Sequence, residues 1–217
     1  QGQRQACSEK IPYLECRKKN TVIPDQEFWD AHYQQNDTGW DLGMISAPLK
    51  TYFDQITDKS LRILIPGAGM SYEARYLAEQ GFTDVTIIDI APTAVQRVTE
   101  AVGASAGQAI KIIQGDFFSL KGTYDLIIEQ TFFCAIEPER RGDYARQCHE
   151  LLGDKGKLVG LLFNRDFEPG HPPFGGDADL YEQIFSPYFN FKTWQSCYNS
   201  NPARAGWEWF MILEKKS

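Results

Sequence analysis

Three short stretches hold the residues best suited to chemistry. The first is "ILIPGAGMSY", from Ile63 to Tyr72, where Gly67 and Gly69 follow an apolar run and precede a helical pattern. Glycine at such a turn lets the backbone approach a ligand with no Cβ in the way. The second is Asp89, which closes "VTIID" about twenty residues after Gly69, the spacing at which a carboxylate takes the two hydroxyls of a ribose. The third is "IIQGDFFSL", where Gly115 and Asp116 end an apolar run and Phe117 and Phe118 follow. A carboxylate there can accept from an exocyclic amine, and an aromatic beside it can stack on a purine.

A dinucleotide site wants a third glycine, to bring a helix N-terminus against the pyrophosphate. Tyr72 stands at that position, which disfavours a nicotinamide dehydrogenase. Ribose, an adenine amine and a turn with no phosphate clamp together describe S-adenosylmethionine, whose spent form is S-adenosylhomocysteine. Trp29, Trp40 and Phe132 are candidates to face its sulfonium by cation–π contact. The plainer readings are a tight strand–helix turn with a capping Asp, and core packing for each aromatic.

The elements that must position these residues follow from periodicity. Leu61–Ile65, Val85–Ile90, Ile110–Ile113, Tyr124–Glu129 and Leu158–Phe163 read as strands. Between them, Ala74, Leu77 and Ala78 make one helix face that Gly81 ends. Pro92 opens a helix carrying Val95, Val98 and Val102. Tyr144, Cys148, Leu151 and Leu152 mark a helix stopping at Gly153. Apolar strands separated by helices predict a parallel sheet covered on both faces. The end differs: "YFNFKTWQSCY" and "GWEWFMILEKK" flank the turn-rich "NSNPARA", which predicts an antiparallel hairpin. Before the first strand, Asp25 is placed to cap a helix through Phe28, Trp29 and Tyr33, and "KTYFDQITDKS" reads as a polar linker. Residues 1–23 are weakly patterned and read as a flexible arm or an appended remnant. The remainder, 24–217, is one domain.

Length and composition suit that picture. The chain has 217 residues, 42% hydrophobic and 24% charged, with a net charge of −7. An acidic chain has no general attraction for nucleic acid. No apolar run approaches the ~20 residues that span a bilayer. Five cysteines form no C-x-x-C pair, so a reduced, cytoplasmic protein is expected, and a monomer. Cys7 and Cys16 could pair, though nothing demands it. The three histidines do not have the spacing of a metal site.

These features make the chain resemble a class I S-adenosylmethionine-dependent methyltransferase. Within that class it is similar to the thiopurine S-methyltransferase family, including its thiol/halide methyltransferase branch. The resemblance runs from about Pro24 onward, through "FWDAHYQQNDTGWDLG", "PGAG", "YDLIIEQTFFCAIEPERRGDYA" and "GHPPFGG". It implies a Rossmann-like, mostly parallel seven-stranded sheet, with one antiparallel strand near the end. It implies that residues 24–45, with Trp29 and Trp40, fold over the cofactor as a lid. Gly67 and Gly69 would contact the methionine moiety, Asp89 the ribose, and Asp116 and Phe117 the adenine. Gln130 and Thr131 would line the methyl-transfer chamber, with Gln130 also beside the cofactor. The thiopurine enzymes carry an arginine where Gln130 aligns, which points away from an anionic thiopurine. The plant thiol/halide branch ends that strand in Asp-Tyr rather than Glu-Gln.

Methyl transfer from a sulfonium is an in-line displacement that depends on holding nucleophile, methyl and sulfur collinear. A thiol reacts as its thiolate and needs no strong base. The expected acceptor is therefore a small soft nucleophile: a thiol, with halide, selenium, tellurium or thiopurine species as variants. An oxygen or nitrogen acceptor would need a base, for which Glu129 and His171 are the candidates. A non-catalytic protein that binds S-adenosylmethionine is the other alternative. His149 reads as structural, and Cys134, among apolar neighbours, as a buried thiol rather than a nucleophile.

Overall fold

The computed structural model describes residues 24–67 and 69–217. The reading of residues 1–23 as an arm, with Cys7 and Cys16, lies outside them. Seven strands form one sheet: β1 (Ile63–Pro66), β2 (Val85–Asp89), β3 (Ile110–Gln114), β4 (Tyr124–Gln130), β5 (Leu152–Phe163), β6 (Phe189–Ser196) and β7 (Glu208–Lys215). Their order is β3-β2-β1-β4-β5-β7-β6. The pairs from β3 to β5 are parallel, and β7 runs antiparallel between β5 and β6. The order reverses at β1, which lies between β2 and β4. That is where an open α/β sheet leaves a crevice beyond the carboxyl ends of its strands.

Side-chain alternation along the strands sends residues to two separate cores. Leu64, Ile127, Leu158 and Leu162 pack with Tyr144, Cys148 and Leu151 of α5 (Arg141–Leu151), and with Tyr181 and Phe185 of α6 (Ala178–Phe185). Ile63, Ile65, Leu126, Ile128 and Val159 face the other way. They meet Leu49 and Phe53 of α2 (Ala47–Phe53), Ala74 and Leu77 of α3 (Tyr72–Glu79), and Val98 and Val102 of α4 (Pro92–Val102). The first helix, α1 (Gln26–Gln35), is capped by Asp25, whose carboxylate accepts from the Phe28 amide at 2.9 Å.

Three expectations need correction. Part of "KTYFDQITDKS" is not linker: its first residues complete α2, a short helix whose Leu49 and Phe53, one turn apart, are fully buried. Helix α5 ends at Leu151, before Gly153, and β5 starts at Leu152 rather than Leu158. Its polar first half pairs with β4 only at Leu152. Gly153 and Gly156 then turn the chain, with Lys155 at φ +62°, before regular pairing resumes at Lys157. Helix α6 follows the "GHPPFGG" loop, and only its Tyr181 and Phe185 are buried. Among the described residues no helix is long and apolar enough to cross a membrane.

Candidate active site

A cavity of about 660 Å3 opens at the carboxyl ends of β1, β2, β3 and β4. The residues expected to bind the cofactor or line the chamber all border it: Trp29, Trp40, Gly67, Gly69, Asp89, Asp116, Phe117, Gln130, Thr131 and His171. The fold thus brings together side chains separated by more than half the chain.

The floor is the turn after β1. Gly67 and Gly69 take φ of +59° and +51°, the left-handed region that glycine enters at no steric cost. The Gly69 amide donates to Asp89 Oδ2 at 3.2 Å, and the Ala91 amide donates to Oδ1 at 2.9 Å. Burial pushes the Asp89 carboxyl up, and these amide bonds oppose that shift. Each carboxylate oxygen accepts up to two hydrogen bonds. One amide on each therefore leaves capacity for two hydroxyls, as a ribose requires.

The far wall comes from β3. Asp116 is exposed, and its Oδ1 accepts from the Phe118 amide at 2.9 Å, capping a short turn. Phe117 is 3% exposed and meets Phe132 edge to face with centroids 5.4 Å apart, so it is a wall residue rooted in the core. Its neighbour Phe118 lies under the guanidinium of Arg140 at 4.0 Å.

The roof is α1 and the segment after it. Trp29 and Trp40 meet edge to face at 5.5 Å, and Tyr33 packs on Trp40 at 5.8 Å. This cover is tied down at both ends. Thr93 N donates to Asp30 Oδ1 at 2.7 Å, and Arg97 donates to Tyr33 O and to Asn36 Oδ1. Further on, Arg204 Nη2 donates to Trp40 O at 2.6 Å and Tyr72 OH to Asp41 Oδ2 at 3.2 Å. Tyr72, standing where a dinucleotide fold has its third glycine, serves here to hold the cover. Arg204 is 5% exposed and paired with the equally buried Glu208 at 3.3 Å.

At the end of β4 the chain turns sharply. Gln130 Oε1 is buried without a hydrogen-bond partner, beside the cavity. Such an orphaned acceptor invites a donor from a ligand. Thr131 takes φ +59°, a costly conformation for a β-branched residue, and its Oγ1 donates to Gln130 O at 2.7 Å. Glu129 is fully buried and does not line the cavity. It therefore cannot be the base considered from the sequence. Cys134 is buried, and burial pushes its thiol up to about 12, so it stays protonated. His149 bonds Lys216 O at 3.1 Å, a structural contact. His171 is about half exposed, with Nδ1 beside Pro172 O at 2.9 Å and Nε2 3.9 Å from Glu168.

Sequence reasoning missed Tyr33 and Arg204 as cavity residues. Tyr33 shares a helix face with Trp29, a signal that core packing explains equally well. Arg204 sits in a turn-rich stretch that offers no signal for a partner far away in the chain.

The strand order, with β7 antiparallel between β5 and β6, is that of an S-adenosylmethionine-dependent methyltransferase fold. A model of the thiopurine S-methyltransferase family matches residues 24–209, and the chain belongs to that family. It is 30% identical over 164 residues to "Thiocyanate methyltransferase 1" of Arabidopsis thaliana, covering 73% of this chain and 71% of that one. It is 25% identical over 188 residues to the thiopurine S-methyltransferase of Acinetobacter baylyi, covering 76% and 86%. Among solved structures, magnesium protoporphyrin IX methyltransferase from Synechocystis PCC 6803 with bound SAH superposes with a TM-score of 0.69. At 13% identity, over 88% of this chain and 98% of that one, the likeness is one of fold.

Proposed function

We propose that the enzyme methylates a small thiol, with other soft anions as secondary acceptors. The observation that carries this reading is the end of β4. Glu129 and Cys134, the ionisable groups that flank the turn after β4, are both unfit to take a proton from an acceptor. Glu129 lies behind the wall with three hydrogen bonds on its carboxyl, and the Cys134 thiol is itself held protonated. An acceptor that ionises by itself near neutral pH needs neither group, and a thiol does so where an alcohol does not.

The chain's own residues supply position. In this reading Asp89 and the Gly69 turn hold the ribose and methionine ends of S-adenosylmethionine, and Asp116 its adenine. When bound, the cofactor supplies an activated methyl on sulfur. In this reading the acceptor enters past Phe163, Phe167, Pro172 and Trp207, apolar residues on that side of the cavity. The name "thiocyanate methyltransferase" and the family's own description favour a sulfur acceptor. Within this reading the enzyme works as a cytoplasmic monomer without nucleic acid, in keeping with the buried free thiols Cys134, Cys148 and Cys197 and a net charge of −7.

The test is the rate of S-adenosylhomocysteine formation with hydrosulfide, a small aromatic thiol, iodide and a thiopurine, against phenol and amine analogues. Thiols should give the highest kcat/KM, rising with pH as they ionise. Preference for the phenol or amine would overturn the reading.

A further inference from the structure

The most enclosed carboxyl near the chamber is that of Glu129, at 0% exposure. It lies one residue before Gln130 in β4, so strand alternation turns it away from the cavity. Its Oε1 accepts from the amides of Phe132 at 2.8 Å and Phe133 at 2.9 Å. Its Oε2 accepts from Tyr144 OH at 2.6 Å. Tyr144, Arg141, Cys134 and Cys148 are the ionisable groups that face it.

The two amides belong to the turn that leaves β4. This turn carries Thr131 in its left-handed conformation and the Phe132 ring, which packs over Gly67. Its other side joins the acceptor wall: Cys134 O accepts from the Phe174 amide at 2.7 Å, in the loop that holds His171. From behind, β5 presses against Glu129 at Gly160, where any Cβ would fall onto the Glu129 carbonyl. The strand end cannot retreat, and a single carboxyl oxygen fixes how the chain departs from it.

We propose that Glu129 is a positioning residue for methyl transfer, whose Oε1 holds the turn that sets Thr131 and Phe132 against the chamber. It acts by accepting two amide hydrogen bonds, not by taking a proton from the acceptor. The proposal rests on reading the cavity as the methyl-transfer chamber. What the role requires is an oxygen at that reach, not a charge. A glutamine keeps an oxygen for both amides and turns its NH2 toward the Tyr144 oxygen. An aspartate keeps the charge but falls one methylene short.

Three variants separate these requirements: Glu129→Gln, Glu129→Asp and Glu129→Ala. Each is read three ways: amide hydrogen exchange at Phe132 and Phe133, S-adenosylhomocysteine affinity, and kcat and KM with hydrosulfide. The Gln variant should keep both amides protected and stay within about threefold of wild-type kcat, since the acceptor is conserved. The Asp variant should lose that protection and drop kcat roughly 10- to 100-fold, the usual result of a small misplacement, with a smaller change in KM. The Ala variant should behave like Asp where it folds, and the Gln–Asp comparison decides the matter where it does not. An inactive Gln variant beside an active Asp variant would overturn the proposal and give Glu129 a charge or proton role. Full kcat with unprotected amides would also overturn it. If the wild type methylates no thiol, the thiol reading fails, yet the exchange pattern still decides whether Glu129 holds the turn.

Discussion

The ring of Phe132 occupies the space that a Cβ on Gly67 would need. Gly67 also sits at φ +59°, so two independent constraints demand glycine there. The first is partly a side chain of the protein itself, supplied from the end of β4 to the turn after β1. Gly67→Ala should therefore displace Phe132 as well as strain the turn. S-adenosylhomocysteine affinity should fall at least about tenfold, equal to about 1.4 kcal/mol. An unchanged dissociation constant by calorimetry would contradict this coupling.

Asp89→Ala removes the acceptor of the Gly69 and Ala91 amides together with the acceptor proposed for the ribose. Hydrogen bonds to a charged group contribute about 1.5–3 kcal/mol, so roughly a 10- to 150-fold loss of cofactor affinity is expected. Titration calorimetry with S-adenosylhomocysteine measures it, and wild-type affinity would remove Asp89 from the site.

Much of this architecture was legible in the sequence, for physical reasons. The glycines after β1 and the carboxylate that ends β2 are local signals, because turn geometry and strand ends are set within a few residues. The antiparallel ending was legible from "NSNPARA", which has the residues of a turn. Helix α2 was not, since it buries only Pro48, Leu49 and Phe53 over seven residues and its exposed positions look like linker. The work of Glu129 was also hidden. A carboxylate at a strand end reads as a possible base until the fold shows which way it points. Arg204 on Trp40 O joins residues too far apart in the chain for any pattern to link them.

Burial raises the Glu129 carboxyl from an ordinary 4.5 to about 7, against the opposing bonds from Tyr144 and the two amides. A carboxyl raised on folding contributes stability that is complete below the unfolded value and lost as pH rises through the folded one. Wild type should thus lose roughly 2–4 kcal/mol of this contribution between about pH 5 and pH 8. Glu129→Gln cannot titrate and should lack that component. Urea unfolding of both proteins across this range tests it, and parallel stability curves would contradict the assignment.

The cover is anchored to α4 through Asp30 and Arg97, and to the β6–β7 loop through Arg204. We expect these ties to set how readily residues 24–45 open for the cofactor. Limited proteolysis should cut this segment faster in Arg204→Met than in wild type, and S-adenosylhomocysteine should protect it in both. Removing residues 1–23 should leave turnover intact. Identical digestion with and without S-adenosylhomocysteine would show the cover to be a fixed part of the fold rather than a lid.

Transfer of a methyl group from S-adenosylmethionine to sulfur can be followed by incubating the full chain with methyl-labelled S-adenosylmethionine and a small aromatic thiol, then identifying the product by mass spectrometry. The expected product is a labelled methyl thioether formed in equal amount with S-adenosylhomocysteine, and in negligible amount with Asp89→Ala at limiting cofactor. A labelled oxygen or nitrogen product from a matched phenol or amine, with the thiol left unmethylated, would contradict transfer to sulfur.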